Sequence, residues 1–417
     1  QVVMLEPRRL AARAASRRMA YERGAKLGGE VGYHVRFDRQ AGRDTRLLVV
    51  TEGILLRMLH DDPFLESVGA VVFDEFHERS LDNDLALGMM RLLQRTVRPD
   101  LKIAVMSATL ATAEVSRYLD DCPTVVSLGR LHPVEIVYEP RSTHEPWPEA
   151  TARAVSRLLD RTPGDLLVFL PGVGEIRQTA KQLESLAAAR DLAVVPLYGD
   201  LPADQQDEAL MRGARRRIVL STNVAETSVT VEGITGVVDT GLARILTFDA
   251  NVGLDRLEIM PIARSSADQR AGRAGRLQPG VCVRLWSPAQ HLARDEHPEP
   301  EVRRVDLASA ALHLLALGEH DLRGFPWFEP PREQAIAQTL QLLELLGATH
   351  DGQLTSLGRL IAQLPVHPRI GRLLIEGHRR GCARRAALAA ALLSERDPFL
   401  RGGGPGGRTL RRRVLAE

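Results

Sequence analysis

Two acidic residues follow a short apolar run in the stretch VVFDEFHERS. A strand that ends before Asp74 and Glu75 would place both carboxyls at the carboxyl edge of a parallel sheet, where α/β proteins bind ligands. There Asp74 could hold Mg²⁺ through water, and Glu75 could polarise an attacking water in nucleotide hydrolysis. The two acids could also simply cap the next helix. A zinc site at His77 and Glu78 is disfavoured, because no second His follows at helical spacing.

An arginine-rich stretch, SADQRAGRAGR, could supply the complementary charge. Arg270, Arg273 and Arg276 recur every three residues and would share one face of a helix. The glycines between them would let a phosphate approach closely, although each costs a helix about 1 kcal/mol. Arginines of this kind stabilise a transferring phosphoryl group. A surface turn rich in Arg is the alternative interpretation.

Polar loops follow several other predicted strands. The stretch LSTNVAETSVTVEGITGVVDTG offers hydroxyls and main-chain N–H groups of the kind that bind phosphates, with glycines at Gly233 and Gly236. EPRRLA, with Arg8 and Arg9 at a helix start, and VTEGIL suit a phosphodiester backbone. The triplet Ser107–Thr109 ends another strand and could hydrogen-bond to neighbours of the acidic pair.

The composition is that of an ordinary globular chain: 417 residues, 44% hydrophobic, 26% charged and a net charge of +2. At roughly 100–200 residues per domain, two to four domains are expected. The net charge permits a nucleic-acid partner without indicating one. Three cysteines without a C-x-x-C pair exclude a cysteine zinc site and favour a reduced compartment, so we expect a cytoplasmic protein. The longest apolar runs are far below the 18 or so residues of a membrane span, and no membrane partner is expected.

The elements that must position these residues follow a repeating pattern. Short apolar strands alternate with amphipathic helices, which predicts parallel sheets covered on both faces. The pattern pauses in a Pro- and His-rich stretch near residues 128–148, read as a linker, and then restarts, so two α/β units in tandem are expected. After about residue 290 Leu- and Ala-rich helices take over, and THDGQLTSLGRL predicts the wing and following helix of a winged-helix module.

Six of these stretches occur in one order that resembles a known family. EPRR, TEG, DEFH, SAT, TNVAETS and QRAGRAGR resemble motifs Ia, Ib, II, III, V and VI of superfamily 2 DEAH/DExH-box helicases. DEFHERSLDNDLALGM, MLEPRRLAARAASRRMA and LVFLPGVGEIR resemble the bacterial HrpB-type ATP-dependent RNA helicases. The resemblance covers essentially the whole chain. It implies an α/β fold with two tandem RecA-like (P-loop NTPase) domains, residues 1–135 and 136–292, then a winged-helix-like domain, 293–364, and the start of a helical bundle with a C-terminal linker, 365–417.

The same resemblance implies an enzyme that couples hydrolysis of ATP with Mg²⁺ to movement along RNA. Asp74 would coordinate Mg²⁺ through water, and Glu75 would be the general base. Gln269 would lie near the γ-phosphate and the attacking water, with Arg273 and Arg276 as arginine fingers. The RNA partner would be single-stranded or a duplex with an overhang, other nucleic acid remains possible, and the expected direction is 3′ to 5′.

Coupling and binding roles are implied for further residues. His77 would link motif II to Gln269 and to Ser107 and Thr109. Gly233 and Asp239 would belong to the nucleotide site, with Asp239 near the ribose. RILTFDANVGLDRLEIMPIA resembles the β-hairpin with which this family parts strands. The nucleic-acid backbone would be contacted by Arg8, Arg9, Thr51 and Thr230.

Two departures keep other interpretations open. The Walker A loop, G-x-x-x-x-G-K-[ST], does not occur in the 417 residues, and we expect it just before Gln1, as the strand that precedes EPRR implies. The chain looks truncated at both ends, and without that loop the fragment is expected to be inactive. Leu210 is the nearest match to the base-stacking aromatic of the family, so a loose NTP preference is expected. The alternatives are a non-catalytic nucleic-acid-binding scaffold, if the loop is truly absent, and a DNA helicase. The 4% aromatic content favours recognition of the backbone over base stacking.

Overall fold

Apolar strands and helices alternate from the first residues of the computed structural model, which describes residues 1–108, 112–127, 129, 132–227, 229–249 and 253–394. The chain divides into two compact units. The first comprises Gln1–Val305 with Pro326–Pro330, and the second comprises Asp306–Phe325 with Pro331–Glu417. The first unit contains both predicted α/β sheets.

The first sheet has the strand order β3-β2-β4-β1-β5-β6 and is parallel except for the β2–β3 hairpin. β1, β4 and β5 are apolar and largely buried because helices cover both faces. Glu6 pairs with Thr51, and Leu5 pairs with Phe73, so the carboxyl ends of these three strands meet at one edge. The elements are β1 (Val2–Glu6), α1 (Arg9–Glu22), β2 (Val31–Val35), β3 (Asp38–Gln40), β4 (Leu47–Thr51), α2 (Glu52–Asp61), β5 (Ala70–Phe73), α3 (Leu81–Thr96), β6 (Lys102–Val105) and α4 (Thr112–Tyr118).

The second sheet is parallel throughout, with the order β7-β14-β11-β8-β10-β9. The linker predicted near residues 128–148 is partly wrong, because β7 lies inside it and pairs with β14. β7 is a half-exposed edge strand whose mixed sequence, VEIVY, gives a weak strand signal. The elements are β7 (Val134–Tyr138), α5 (Trp147–Leu159), β8 (Asp165–Phe169), α6 (Val173–Ala189), β9 (Ala193–Leu197), α7 (Ala203–Leu210), β10 (Arg217–Ser221), β11 (Ile234–Asp239), β12 (Leu242–Asp249), β13 (Leu254–Pro261), α8 (Arg264–Gly272), β14 (Gly280–Arg284) and α9 (Pro288–Leu292).

The predicted hairpin between motifs V and VI is present. β12 and β13 pair antiparallel, from Leu242 with Pro261 to Asp249 with Leu254. Phe248, Leu257 and Ile259 of this hairpin are 38%, 47% and 48% exposed. The hairpin therefore presents apolar side chains to its surroundings.

The second unit is helical apart from one short hairpin. β15 and β16 pair antiparallel and are followed directly by α12, whose first turn is capped by the Thr355 side chain accepting from Gly358 N at 2.9 Å. This is the predicted wing and following helix. No helix in the described ranges is long and apolar enough to cross a membrane. The elements are α10 (Ala308–Ala316), α11 (Glu333–Leu345), β15 (Thr349–His350), β16 (Gln353–Leu354), α12 (Ser356–Ala362), α13 (Pro368–Arg379) and α14 (Ala383–Ser394).

Candidate active site

The acidic pair begins a tight turn at the carboxyl end of β5, which we call the DEFH turn (residues 74–79). Asp74 N donates to the Leu5 carbonyl at 3.1 Å, and Glu75 N donates to Asp74 Oδ1 at 2.8 Å. Phe76 N donates to the Met106 carbonyl at 3.1 Å, which ties the turn to the strand before Ser107. The main chain therefore fixes both carboxyls at the edge of the sheet that the sequence predicted.

Three carboxyls crowd together at this edge. Burial, followed by the charge of Asp74, raises the pKa of Glu6 to about 9. Burial, followed by the charges of Asp74 and Glu78, raises the pKa of Glu75 to about 7. Carboxyl oxygens are the hard donors that Mg²⁺ prefers, and a cation bound here would favour the ionised forms of these carboxyls. In the described ranges no group of three His, Cys, Asp or Glu side chains is arranged to ligate a metal directly.

His77 connects the DEFH turn to α8 of the second sheet. Its Nδ1 lies 3.5 Å from Glu75 Oε2, and its ring lies within hydrogen-bonding reach of the Gln269 side chain. Burial lowers the pKa of His77 below its usual value, and the charges of Glu78 and Glu226 oppose that shift. Residues 192 positions apart in the chain are therefore neighbours here. Ser107 is exposed just beyond β6, and Thr109 lies outside the described residues.

The prediction that three arginines share one helix face is wrong. α8 ends at Gly272, and a 3-10 turn, Arg273–Gly275, follows it. Arg270 is fully buried; its Nε donates to Glu226 Oε2 at 2.7 Å and its Nη1 to Asp239 Oδ1 at 2.8 Å. Asp239 is itself 0% exposed, so the prediction that it approaches a ribose is contradicted. A buried arginine needed a carboxylate partner, and Asp239 is that partner.

Arg273 and Arg276 both lie within electrostatic reach of Glu75, but they are held differently. Arg273 is buried, and its Nε and Nη1 donate to the carbonyls of Glu226 and Val229 at 2.9 and 2.7 Å. Burial and the neighbouring Arg276 lower the pKa of Arg273 to about 9, while Glu75 opposes that shift. Arg276 is exposed and donates to Thr230 Oγ1. Of the two predicted arginine fingers, Arg276 therefore has the accessible donors, whereas the buried donors of Arg273 are bound to carbonyls of the loop after β10.

Gly233 lies at the wrong edge of the sheet for the predicted nucleotide contact. It precedes β11 with a φ of +81°, and its carbonyl accepts from Asp165 N, the first residue of β8, at 2.9 Å. This is the amino edge of the second sheet, opposite the loop that follows β10. The glycine is explained by its left-handed backbone conformation. The prediction failed because spacing in the sequence does not report which edge a loop occupies.

A cleft of about 770 Å³ opens between the two sheets of the first unit, and Arg8, which pairs with Glu78 of the DEFH turn, lines it. Arg9, the first residue of α1, is exposed there. Arg8 is engaged within the protein: its Nη2 donates to Glu78 Oε2 at 3.1 Å and its Nη1 to the Asn223 carbonyl at 2.5 Å. Thr230 is not among the lining residues. The cleft has a mixed polar lining: four arginines from the first-sheet side, polar side chains from both sides and four acids. These residues are Arg8, Arg9, Arg13, Arg36, Thr51, Gln206, Thr222, Asn223, Asp38, Glu52, Asp82 and Asp200.

Glu78 is the site residue whose importance the sequence concealed. Its Oε1 accepts from Thr227 Oγ1, and its Oε2 accepts from Arg8. Burial favours a higher pKa, but the Arg8 charge and these hydrogen bonds hold the pKa of Glu78 below its usual value. The interacting residues are 70 and 149 positions away, so no local pattern could have revealed the contacts. Glu78 thus joins motifs Ia, II and V.

Four ranges of the chain match the models of known protein families. Residues 1–118 match the family described as DEAD/DEAH box helicase, and residues 150–278 match the helicase conserved C-terminal domain. Residues 339–366 and 367–414 match the winged-helix and ratchet-like parts of the helicase associated domain HA2.

Individual relatives are similar over nearly the whole chain. The ATP-dependent RNA helicase HrpB of Escherichia coli strain K12 is 41% identical over 397 residues, which is 95% of this chain and 49% of that protein. HrpA of the same organism, named with the same activity, is 42% identical over 94% of this chain and 31% of its own length. The crystal structure of the Escherichia coli DEAH/RHA helicase HrpB superposes with a TM-score of 0.88 at 39% identity, covering all of this chain and 54% of that one. The chain therefore spans about half the length of its HrpB relative and about a third of its HrpA relative.

Proposed function

Because this chain belongs to the DEAH-box helicases and is of the HrpB type, we propose that it couples hydrolysis of Mg-ATP to movement along RNA. The observation that carries the proposal is the contact between the DEFH turn and the loop after β10, where Glu78 accepts from Thr227 Oγ1 and Arg8 donates to both Glu78 and the Asn223 carbonyl. This contact brings Arg273 and Arg276 within electrostatic reach of Glu75, and a carboxylate facing arginines in this way suits a shared ligand. A nucleoside triphosphate between the two sheets would be that ligand.

Each residue of the site has a chemical task in this proposal. Asp74 would hold Mg²⁺ through water, and the ion would neutralise charge on the phosphates. Glu75 would accept the proton of the attacking water, which Gln269 would help to orient. Arg276 would donate to the transferring phosphoryl group as negative charge develops on it. Arg273 would keep the loop after β10 in place for that contact.

The RNA would occupy the polar cleft between the two sheets. The guanidinium groups that line it come from the first-sheet side, hydroxyls come from both sides, and four acidic side chains also line it. Guanidinium and hydroxyl groups bind phosphodiester oxygens without reading bases. Movement of one sheet against the other during the ATP cycle would then shift the strand. The direction 3′ to 5′, the parting of strands at the β12–β13 hairpin, and domain limits near residues 135, 292 and 364 belong to the same proposal.

The proposal is tested with protein expressed from its complete gene. ATP turnover is measured alone, with single-stranded RNA and with single-stranded DNA, and strand separation is measured on RNA duplexes with a 3′ or a 5′ overhang. We expect RNA to stimulate turnover more than DNA and the 3′ overhang to support strand separation. RNA binding without ATP turnover would contradict the proposal in favour of a non-catalytic scaffold, and stronger stimulation by DNA would favour a DNA helicase.

A further inference from the structure

The DEFH turn is held in an unfavourable backbone conformation at both ends. Glu75 has a φ of 48° and Arg79 a φ of 49°, and a 3-10 turn lies between them. Residues with a Cβ rarely adopt this left-handed conformation, and it persists only where surrounding contacts impose it. The contacts that impose it are therefore part of what places Glu75.

One set of these contacts comes from a segment far along the chain. The chain leaves the first unit after Val305 and returns to it only for Pro326–Pro330, which we call the strap. Pro326 and Pro330 bound the strap and restrict its backbone. It forms no strand or helix.

Phe328 of the strap packs against the first half of the turn. Its ring lies 5.4 Å from the ring of Phe76 in an edge-to-face arrangement, and 5.3 Å from the ring of Tyr118. Tyr118 Oη donates to the Pro326 carbonyl at 2.5 Å. Phe76 is fully buried and directly follows Glu75. Edge-to-face aromatic pairs are specific in geometry, so these rings constrain where the backbone next to Glu75 can lie.

Glu329 of the strap holds the other end of the turn. Arg79 binds Asp84 through two hydrogen bonds of 2.9 Å, and its Nη2 also donates to Glu329 Oε2 at 3.2 Å. Arg303 Nε lies 2.5 Å from Glu329 Oε1, so this carboxylate bridges two arginines. The Arg79 guanidinium also lies 4.6 Å from the ring centroid of Phe328. Both ends of the turn are thus bound by adjacent residues of the strap.

We propose that the strap positions the DEFH turn for catalysis, with Phe328 and Glu329 as positioning residues that set the turnover rate through Glu75 without contacting nucleotide. This role rests on the function proposed above. It assigns a task in the ATPase reaction to a segment outside both α/β sheets. Loss of either side chain would let the strained turn relax and move Glu75. Misplacement of a catalytic carboxylate lowers the rate of the chemical step more than the affinity for substrate.

The test compares Phe328→Leu and Glu329→Ala with the conservative changes Phe328→Tyr and Glu329→Gln, again in protein from the complete gene. Glu333→Ala is the matched control, since Glu333 also pairs with an arginine, Arg323, but is exposed and lies in the second unit. RNA-stimulated kcat, KM for ATP and the thermal unfolding midpoint are measured for each.

We expect Phe328→Leu and Glu329→Ala to lower kcat about tenfold with KM for ATP within about twofold, and the conservative variants and the control to retain most of the rate. Unchanged kcat in both non-conservative variants would overturn the proposal, as would a loss of kcat that follows only the unfolding midpoint. If the Phe328 and Glu329 variants contradict the positioning role but Glu75→Gln abolishes turnover in the same assays, the proposed function still holds. Absence of RNA-stimulated turnover in the wild type would instead overturn the function itself.

Discussion

Arg8 and Glu78 form an ion pair, 3.1 Å between Nη2 and Oε2, that joins the cleft between the two sheets to the DEFH turn. Arg8 lines the cleft, and Glu78 lies three residues after Glu75. The pair is partly buried, with 20% and 18% of the two side chains exposed, so it is screened less than a surface pair. A phosphate entering the cleft would compete with Glu78 for Arg8. Under the proposed function, this competition would link RNA binding to Glu75.

Glu78→Gln removes the charge of that pair while keeping the size of the side chain. We expect the ratio of RNA-stimulated to unstimulated ATP turnover to fall about fivefold, as for loss of about 1 kcal/mol from a charged hydrogen bond. Glu22→Gln, at an exposed pair with Arg18, is the control. A stimulation ratio equal to that of the wild type would show that the pair carries no coupling.

Replacing Arg276 by Ala is predicted to lower the catalytic rate, whereas replacing Arg273 by Ala is predicted to lower the stability of the first unit. Arg276→Ala should lower kcat about 1,000-fold, the lower range for an arginine finger, with little change in the unfolding midpoint. Arg273→Ala leaves buried carbonyls without donors and should destabilise the first unit by about 2–4 kcal/mol. Arg215→Ala, at an exposed pair with Asp191, controls for loss of a surface arginine. A kcat within twofold of wild type for Arg276→Ala would exclude it as the finger.

Much of this arrangement could be predicted from sequence because strand patterns are local. The apolar runs before Asp74 and Ser107 predict two strands. Because parallel strands end on the same side of a sheet, they also predict the edge at which Asp74 and Ser107 lie. The burial of Arg270 and its pairing with Asp239 could not be predicted, because a regular spacing of arginines does not reveal which of them is buried. Phe328 and Glu329 lie about 250 residues from the turn they contact, and no periodicity links them to it.

Arg9 is expected to contribute one phosphate contact in the cleft. Arg9→Ala should weaken RNA binding, and the slope of log affinity against log salt concentration should become shallower by about 0.7 for a single strand. Arg18→Ala, an exposed arginine of the same helix, is the control for a change in net charge. Titrations of single-stranded RNA at several salt concentrations give both quantities. A parallel loss in both variants would indicate general charge rather than a contact.

Glu52 should make the stability of the first unit depend on pH. It is 8% exposed, and burial followed by the charge of Asp82 raises its pKa well above the usual value, although a hydrogen bond with Ser80 opposes the shift. The folded state therefore keeps a proton that the unfolded state releases above about pH 4.3, and stability falls as pH rises through the window up to the folded pKa. Glu52→Gln removes this dependence.

The unfolding midpoint of Glu52→Gln minus that of the wild type should therefore be larger at pH 8 than at pH 5. Glu184→Gln changes the same side chain at an exposed position of α6 and is the control. Thermal unfolding in matched buffers at the two pH values measures the difference. A gap between Glu52→Gln and wild type that is the same at both values would contradict the assigned burial effect.

Glu75→Gln, in protein expressed from the complete gene, tests most directly whether the meeting of the two sheets is a hydrolytic site. Binding of ATP and its RNA-stimulated hydrolysis are measured separately on the same preparation, with Glu22→Gln as control. The proposed role of Glu75 as general base predicts ATP affinity within about threefold of wild type and a loss of at least about 100-fold in hydrolysis. Hydrolysis at the wild-type rate would contradict it.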